Sequence, residues 1–237
     1  MNRSTQYCVG AVALAGVMFL LAGCSSPSGT DADSSSSAKP KSPSPSGTPT
    51  PTDVPPELAP TDVTFEAGAD LDPAKWTAGW TDVLMSTDTR FAVSTPDDGA
   101  GSWAYLDTQT QCSVAFYQGA ITDLQLGADD RESTDNMLAA VLGGLIPGVT
   151  GADVSANASD GQVAQATQEG TVDIRIVGGG SGSSGSDGTW SEFGRMFGSL
   201  GTALVLNVEC PAGQDASSEV SDLLNSYLAI AVSPTAG

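Results

Sequence analysis

The sequence GTALVLNVEC, residues 201–210, places apolar side chains at every second position. Leu204, Leu206, Val208 and Cys210 are these residues. A period of two puts side chains on one face of a β-strand, so residues 201–210 predict a strand with one apolar face. Such a strand needs partner strands and a covering layer, which the rest of the chain must supply.

A β-hairpin is the clearest partner. Residues 103–107 and 111–118 both have strand character and are joined by a short polar segment. In the second of them Cys112, Val114 and Phe116 share one face. We therefore expect this apolar face and that of residues 201–210 to belong to the same core.

Shorter patterns predict the remaining elements. The predicted strands are 63–66, 90–94, 163–167 and 171–177, and residues 178–188 form a Gly/Ser-rich surface loop. The predicted helices are a short one over 74–81, a central one over 137–145 with Ser133, Thr134 or Asp135 as its cap, and a closing one over 220–228 that ends before Pro234. This order argues against alternating βαβ units. It predicts an α+β fold in which an antiparallel sheet packs against two main helices.

Within residues 90–232 the element order resembles the PsbP-like family of α/β sandwiches, which includes LpqN-type actinobacterial lipoproteins. The resemblance rests on the strand Phe91-Ala92-Val93-Ser94-Thr95 ending at Pro96 and on the central Asp/Ser-capped helix. The resemblance implies a sandwich fold and a binding function, because most members of that family are not enzymes and act by binding proteins or small ligands. The family offers no common active site to transfer.

The N-terminus predicts export. An uncharged apolar run, residues 9–21, follows Arg3 and is too short to span a bilayer. It closes with Leu21-Ala22-Gly23-Cys24, which resembles the lipobox of bacterial lipoproteins. The resemblance implies that residues 1–23 are a signal peptide and that Cys24 carries diacylglyceryl and acyl chains such as palmitate, which anchor the protein in the membrane. A retained transmembrane anchor and ordinary secretion are the alternatives.

Residues 24–60 comprise the lipidated cysteine and a Ser/Pro/Thr-rich stalk with almost nothing to bury, so we expect this segment to be disordered. Residues 61–237 are long enough for one globular domain. If Cys8 leaves with the signal and Cys24 is lipidated, then Cys112 and Cys210 remain as an even pair in an exported domain. We predict that they form a disulfide.

Charge and composition exclude several functions. Without residues 1–23 the chain has 7 Lys+Arg against 28 Asp+Glu, because only Arg3 is removed from the total of 8, giving a net charge of −21. A surface of this sign disfavours binding to nucleic acid and to anionic headgroups. The chain has no histidine, which removes His-based catalysis and His metal sites. The low lysine content and the Ala, Gly and Asp richness resemble exported actinobacterial proteins.

No motif predicts catalysis. The Gly/Ser loop lacks the spacing of a nucleophile elbow or a phosphate-binding loop. The aspartate pairs 70/72, 97/98 and 129/130 are typical of solvated turns and helix starts, although two facing carboxylates could serve a glycosidase. Four tryptophans could line a ligand groove, although core packing is favoured: Trp76, Trp80, Trp103 and Trp190. The turn at residues 142–146 could also line one.

These patterns lead to one hypothesis. The chain is expected to be a lipoprotein on the extracellular face of the cell membrane, and to be a non-catalytic binding or accessory module of the envelope. It is expected to need no metal or cofactor. Its expected partners are the membrane, through the lipid on Cys24, and an unidentified envelope protein or lipid. The alternatives are a lipid or small-ligand carrier and a carboxylate-dependent glycoside hydrolase.

Overall fold

The computed structural model describes residues 59–180 and 188–235, which form an α+β fold as predicted. The helices are α1 (Phe65–Ala69), α2 (Val83–Thr87), α3 (Asp130–Leu142), α4 (Gly151–Asn157) and α5 (Ala216–Ser226). The strands are β1 (Trp76–Thr81), β2 (Phe91–Thr95), β3 (Ser102–Asp107), β4 (Ser113–Gly119), β5 (Ser159–Gln165), β6 (Thr171–Gly180), β7 (Thr189–Phe197), β8 (Thr202–Cys210) and β9 (Ala229–Pro234). None of the helices in these ranges is long and apolar enough to cross a membrane.

The nine strands form one sheet in the order β1-β9-β5-β6-β7-β8-β4-β3-β2. Neighbouring strands run antiparallel except β5 and β9, which are parallel, with Ala164 opposite Ala229 and Gln165 opposite Ile230. The sheet is therefore mixed, and the prediction of an antiparallel sheet is wrong at this pair. The physical reason is that the chain reaches β9 through α5, and a helical crossover permits a parallel neighbour where a tight hairpin would not.

Both faces of the sheet are covered. On β8 the side chains of Leu204, Leu206 and Val208 enter one core, which also contains Val220 and Leu223 of α5. The alternate β8 residues, Ala203 and Val205, enter a second core beneath α3 with Met137 and Leu138. The apolar face predicted for residues 201–210 is confirmed, but Ala203 and Val205 on the other face of β8 are also buried. An uninterrupted apolar run in a central strand is the sequence counterpart of this two-sided burial.

The sheet curls, so that its first edge returns over its middle. The backbone N–H of Trp80 in β1 donates to Oε1 of Gln118 in β4 over 2.8 Å. The Trp80 ring also meets the rings of Phe116 in β4 and Phe193 in β7 edge-on, each with centroids 6.0 Å apart. β1 thus covers part of the core face, although four strands lie between it and β8 along the sheet.

Two predictions near the start of the domain are wrong. Residues 63–66 do not form a strand: Thr64 caps α1 with its side chain, and only Val63 makes a β-bridge, to Val172. Residues 74–81 do not form a helix: residues 76–81 are strand β1, and residues 73–75 form the turn before it. The reason lies in the sequence WTAGWT of β1, whose first, third and fifth residues are buried and whose period is therefore two.

The central helix is confirmed, but it begins earlier than predicted. Asp129 is its N-cap and accepts a hydrogen bond from the Glu132 N–H, so Ser133, Thr134 and Asp135 lie inside the helix and are buried. The closing helix ends at residue 226, and the segment before Pro234 is a strand. β7 and α4 were not predicted. Strands match the predictions at 90–94, 103–107, 111–118, 163–167, 171–177 and 201–210, with ends shifted by a few residues.

The Gly/Ser-rich segment is only partly covered by the structure. Its first three residues, 178–180, continue β6 and pair with β7, and are not loop as expected. Residues 181–187 lie outside the described residues, as do residues 1–58, which include the predicted signal peptide, Cys24 and all but the last two residues of the predicted stalk.

Candidate functional site

An open groove of about 510 Å³ lies where the curled edge β1 faces β2, β3 and β4. We call it the aromatic groove. The residues that line it include Trp80, Asp82, Val93, Asp97, Trp103 and Tyr105. The residues from β2 and β3 that form its floor lie on the face that elsewhere forms the core, because Val93 is opposite Tyr105 and Trp103 is opposite the core residue Phe116. The groove is therefore the part of the core face that the structure leaves open.

Aromatic packing makes this floor rigid. The indole of Trp103 stacks on Phe116, with ring centroids 5.0 Å apart and an angle of 6° between the planes. Tyr105 meets the same phenyl ring edge-on at 6.0 Å. Trp80 is 9% exposed, and its indole N–H has no hydrogen-bond partner in the described structure. An unpaired buried donor costs free energy, and this nitrogen is itself buried beneath the groove surface.

Asp82 is the polar centre of the aromatic groove. Its Oδ2 accepts hydrogen bonds from the Trp103 indole N–H and from the Tyr105 hydroxyl, both at 2.8 Å. Burial, and then the hydrogen bond to Asp82, raise the pKa of Tyr105 to about 12. Asp82 precedes α2, but its side chain caps no N–H of that helix. The position of its carboxylate is therefore set by the aromatic side chains of β3.

The second carboxylate comes from the loop between β2 and β3. Asp97 Oδ1 accepts the Gly99 N–H at 2.8 Å, and Asp98 Oδ1 accepts the N–H groups of Ala100 and Ser102. The predicted turn at residues 97–98 is thus confirmed. Gly101 closes the loop in a left-handed conformation, φ 88°, and a Cβ there would lie 1.9 Å from the Gln118 carbonyl oxygen. Only glycine fits at that position.

Exposed apolar side chains occur in the groove and directly after Asp82 in the chain. Val93, Val83 and Leu84 are 62%, 60% and 56% exposed, the highest values among the large hydrophobic residues that the structure describes. Val93 lines the groove, and the other two follow Asp82 directly in the chain. Exposed apolar side chains gathered at a concave site are typical of an interaction surface.

A different pair of carboxylates converges inside the domain. Asp107 of β3 and Glu219 of α5 are both buried and both contact Arg90, at 2.6 and 3.1 Å. Burial, and then the nearby Asp107 carboxyl, raise the pKa of Glu219 to about 7. Burial opposes the ionisation of Asp107, but its hydrogen bonds, first from Arg90, hold its pKa at about 2. Arg90 also pairs with Asp222. This arrangement joins α5 to the β2–β3 hairpin and is structural.

Sequence reasoning missed two charged residues of β7. Arg195 is fully buried and pairs with Asp130 at 2.9 Å. Glu192 is also fully buried, and neither carboxylate oxygen has a hydrogen-bond partner of normal geometry. Burial raises the pKa of Glu192 to about 8, and its cross-strand neighbour Asn207 only partly opposes the rise. Buried charges inside a strand hide its hydrophobic pattern, which is why β7 was not predicted.

The other predicted site residues have these positions. Cys112 and Cys210 form the predicted disulfide and lie in the core. Asp72 caps a turn as expected, whereas Asp130 does not belong to a solvated turn, because its side chain pairs with buried Arg195. Trp80 and Trp103 line the groove, while Trp76 packs in the core and Trp190 packs against the layer below α3. Within the described ranges no cluster of three or more potential ligands could hold a metal ion.

Comparisons with known proteins add little. No family model matches the chain, and no curated protein matches it. One similar solved structure is the Ran-binding protein Mog1p of Saccharomyces cerevisiae, with 9% identity, a TM-score of 0.30, and coverage of 63% of this chain and 83% of that one. A point mutant of Mog1 gives 10% identity, a TM-score of 0.31, and coverage of 62% and 84%. Similarities this weak assign no family and no function.

Proposed function

We propose that this protein is a lipid-anchored, extracytoplasmic binding module of the cell envelope, and that the aromatic groove is its binding site. The anchor is the diacylglyceryl group expected on Cys24, which would hold the domain on the outer face of the cell membrane. The PsbP-like resemblance belongs to the same proposal, since that family acts mostly by binding.

One observation carries the proposal. Val93, the most exposed large hydrophobic side chain of the described residues, lines a groove whose floor is a stacked pair of rings, Trp103 on Phe116. Rigid aromatic rings supply contact area at a small cost in conformational entropy. The groove is open and lies at the edge of the sheet, which suits a reversible partner better than an enclosed lipid chain.

The groove also supports a second candidate function. Asp82 and Asp97 both line it, and a glycoside hydrolase needs two carboxylates that face each other across a sugar. Binding is the better proposal because one oxygen of each carboxylate is already used. Oδ2 of Asp82 holds two aromatic donors, and Oδ1 of Asp97 holds its own loop.

Photo-crosslinking in the native envelope tests the binding function. A benzophenone amino acid replaces Val93 in the full-length lipoprotein, and the control carries it at Val141, which is exposed on α3. We expect a discrete crosslinked product at position 93, and its loss when Trp103→Ala is added. Equal crosslinking at both positions would refute the proposal. Turnover of a polysaccharide or glycoside that Asp82→Asn abolishes would establish the hydrolase instead.

A further inference from the structure

The charged side chains that line the aromatic groove are both carboxylates, those of Asp82 and Asp97. The arginines of the described residues are each paired with carboxylates elsewhere, and these are Arg90, Arg131, Arg175 and Arg195. None of these four guanidinium groups is therefore available to neutralise the groove. Charge complementarity favours a cationic occupant, and the net charge of −20 for the whole chain acts in the same direction.

The shape and chemistry of the floor select a particular kind of cation. The Trp103 N–H donates to Asp82, so an indole and a carboxylate lie side by side. Oδ2 of Asp82 is used by Trp103 and Tyr105, and in the described structure Oδ1 accepts no hydrogen bond. A guanidinium group is planar, stacks on aromatic faces and donates to carboxylates in the same plane. An arginine side chain therefore fits better than a neutral sugar.

The surroundings of the groove indicate what carries the arginine. β2 is the last strand of the sheet and pairs only with β3. Residues 92–95 are exposed, so one backbone edge of β2 is open to an additional strand. An extended peptide pairs its backbone with this edge while an arginine side chain enters the groove.

We propose that the aromatic groove binds an arginine side chain from an extended basic segment of a partner protein, which pairs with the open edge of β2. This inference rests on the proposed binding function and adds the chemistry of the partner. The backbone of the segment forms main-chain hydrogen bonds with β2. Its arginine enters between Trp103 and the carboxylates of Asp82 and Asp97.

The test is a titration of the full chain with the probe acetyl-Thr-Val-Arg-Val-Thr-amide, followed by tryptophan fluorescence. The matched control peptide contains citrulline, a neutral isostere of arginine. We expect saturable binding of the arginine peptide, at least about tenfold weaker binding of the citrulline peptide, and weakening by salt. We also expect slower amide exchange in β2 when the arginine peptide is bound.

Protein variants locate the site. Asp97→Asn is expected to weaken binding of the arginine peptide about five- to tenfold, because it removes one charge from the groove. Glu169→Gln removes a charge from an exposed residue that does not line the groove, and is expected to leave binding unchanged. Equal loss in both variants would mean that the peptide responds only to net charge, and would overturn the inference.

Three other results would also overturn it. They are equal affinity for the citrulline peptide, no saturable binding of the arginine peptide up to about 5 mM, and binding without slower exchange in β2. Binding of a neutral oligosaccharide that Trp103→Ala abolishes would assign the groove to sugars. In each case the crosslink at position 93 decides separately whether the groove is a binding site. The ligand inference can thus fail while the proposed function stands.

Discussion

The guanidinium of Arg195 lies 2.9 Å from the carboxylate of Asp130, and both side chains are buried. Arg195 belongs to β7 and Asp130 to the first turn of α3, so the ion pair joins that helix to the sheet. The Asp130 carboxylate also accepts the Gly198 N–H at 2.9 Å. Arg195 lies over the ring of Phe65 in α1, with its guanidinium carbon 4.3 Å from the ring centroid. Three elements therefore meet at this pair.

Removing Asp130 should be strongly destabilising. We expect Asp130→Ala to lower the free energy of unfolding by about 3–5 kcal/mol, because it leaves a buried arginine uncompensated. Asp129→Ala is the matched control. It removes the neighbouring carboxylate, which serves only as the N-cap of α3, at a cost of about 1 kcal/mol. Urea denaturation measures both variants. Equal losses would show that the buried pair contributes no more than a helix cap.

The disulfide should be a major source of stability. It joins Cys112 and Cys210 across 98 positions of sequence, and closing a loop of this length restricts the unfolded chain by up to about 4.7 kcal/mol. Cys112→Ala, Cys210→Ala and the double variant should each lose a similar amount, because each breaks the same bond. Urea denaturation of the three variants checks this. A double variant that loses twice as much as either single one would contradict the explanation.

Stability should fall as pH rises through the range in which Glu192 ionises. Its pKa in the folded protein is raised to about 8, against 4.5 for the ordinary side chain, so above pH 4.5 the folded state holds a proton that the unfolded state has lost. The resulting loss of stability develops between these values and amounts to at most roughly 5 kcal/mol. Glu219 adds a smaller loss of the same sign, because its pKa is raised to about 7.

Glu192→Gln isolates the first contribution. We expect the unfolding free energy of the variant, taken relative to that of the native protein, to be higher at pH 8.5 than at pH 5. The reason is that glutamine carries no charge to bury. Unfolding free energies at the two pH values give the comparison, and exposed Glu169→Gln is the control. An identical pH dependence in Glu192→Gln and the native protein would show that Glu192 does not ionise in this range.

The lipid anchor can be tested directly. Cys24→Ala should move the protein from the membrane fraction to the medium or leave it as an unprocessed precursor, because the proposed acylation requires that thiol. Fractionation followed by mass spectrometry distinguishes these outcomes. Native protein recovered from its host without attached lipid would refute the lipoprotein hypothesis.

The sequence predicted those elements whose burial is periodic and uninterrupted. The apolar faces of β4 and β8 and the pairing of Cys112 with Cys210 are examples. The prediction failed where the pattern was mixed: β7 buries Glu192 and Arg195 among its apolar residues, and β1 has too few residues to separate a strand from a short helix. Tertiary contacts decided these cases.

The aromatic groove was only partly predictable. Trp80 and Trp103 were identified as possible groove residues, but the sequence could not show that they meet. Their meeting depends on the curl of the sheet, and residues 80 and 118 approach each other only in the complete fold. Asp82 carried no recognisable signal, because a single aspartate just after a predicted element is typical of an ordinary turn.

The position of β9 has a consequence for how the protein folds. In the sheet β1 pairs only with β9, and β9 lies between β1 and β5. β1, which carries Trp80, therefore has no neighbouring strand until residues 229–234 have been synthesised and have paired. Contacts between such distant parts of a chain form slowly. The groove should be one of the last parts to form during folding, so a chain still emerging from the ribosome or translocon would not bind its partner.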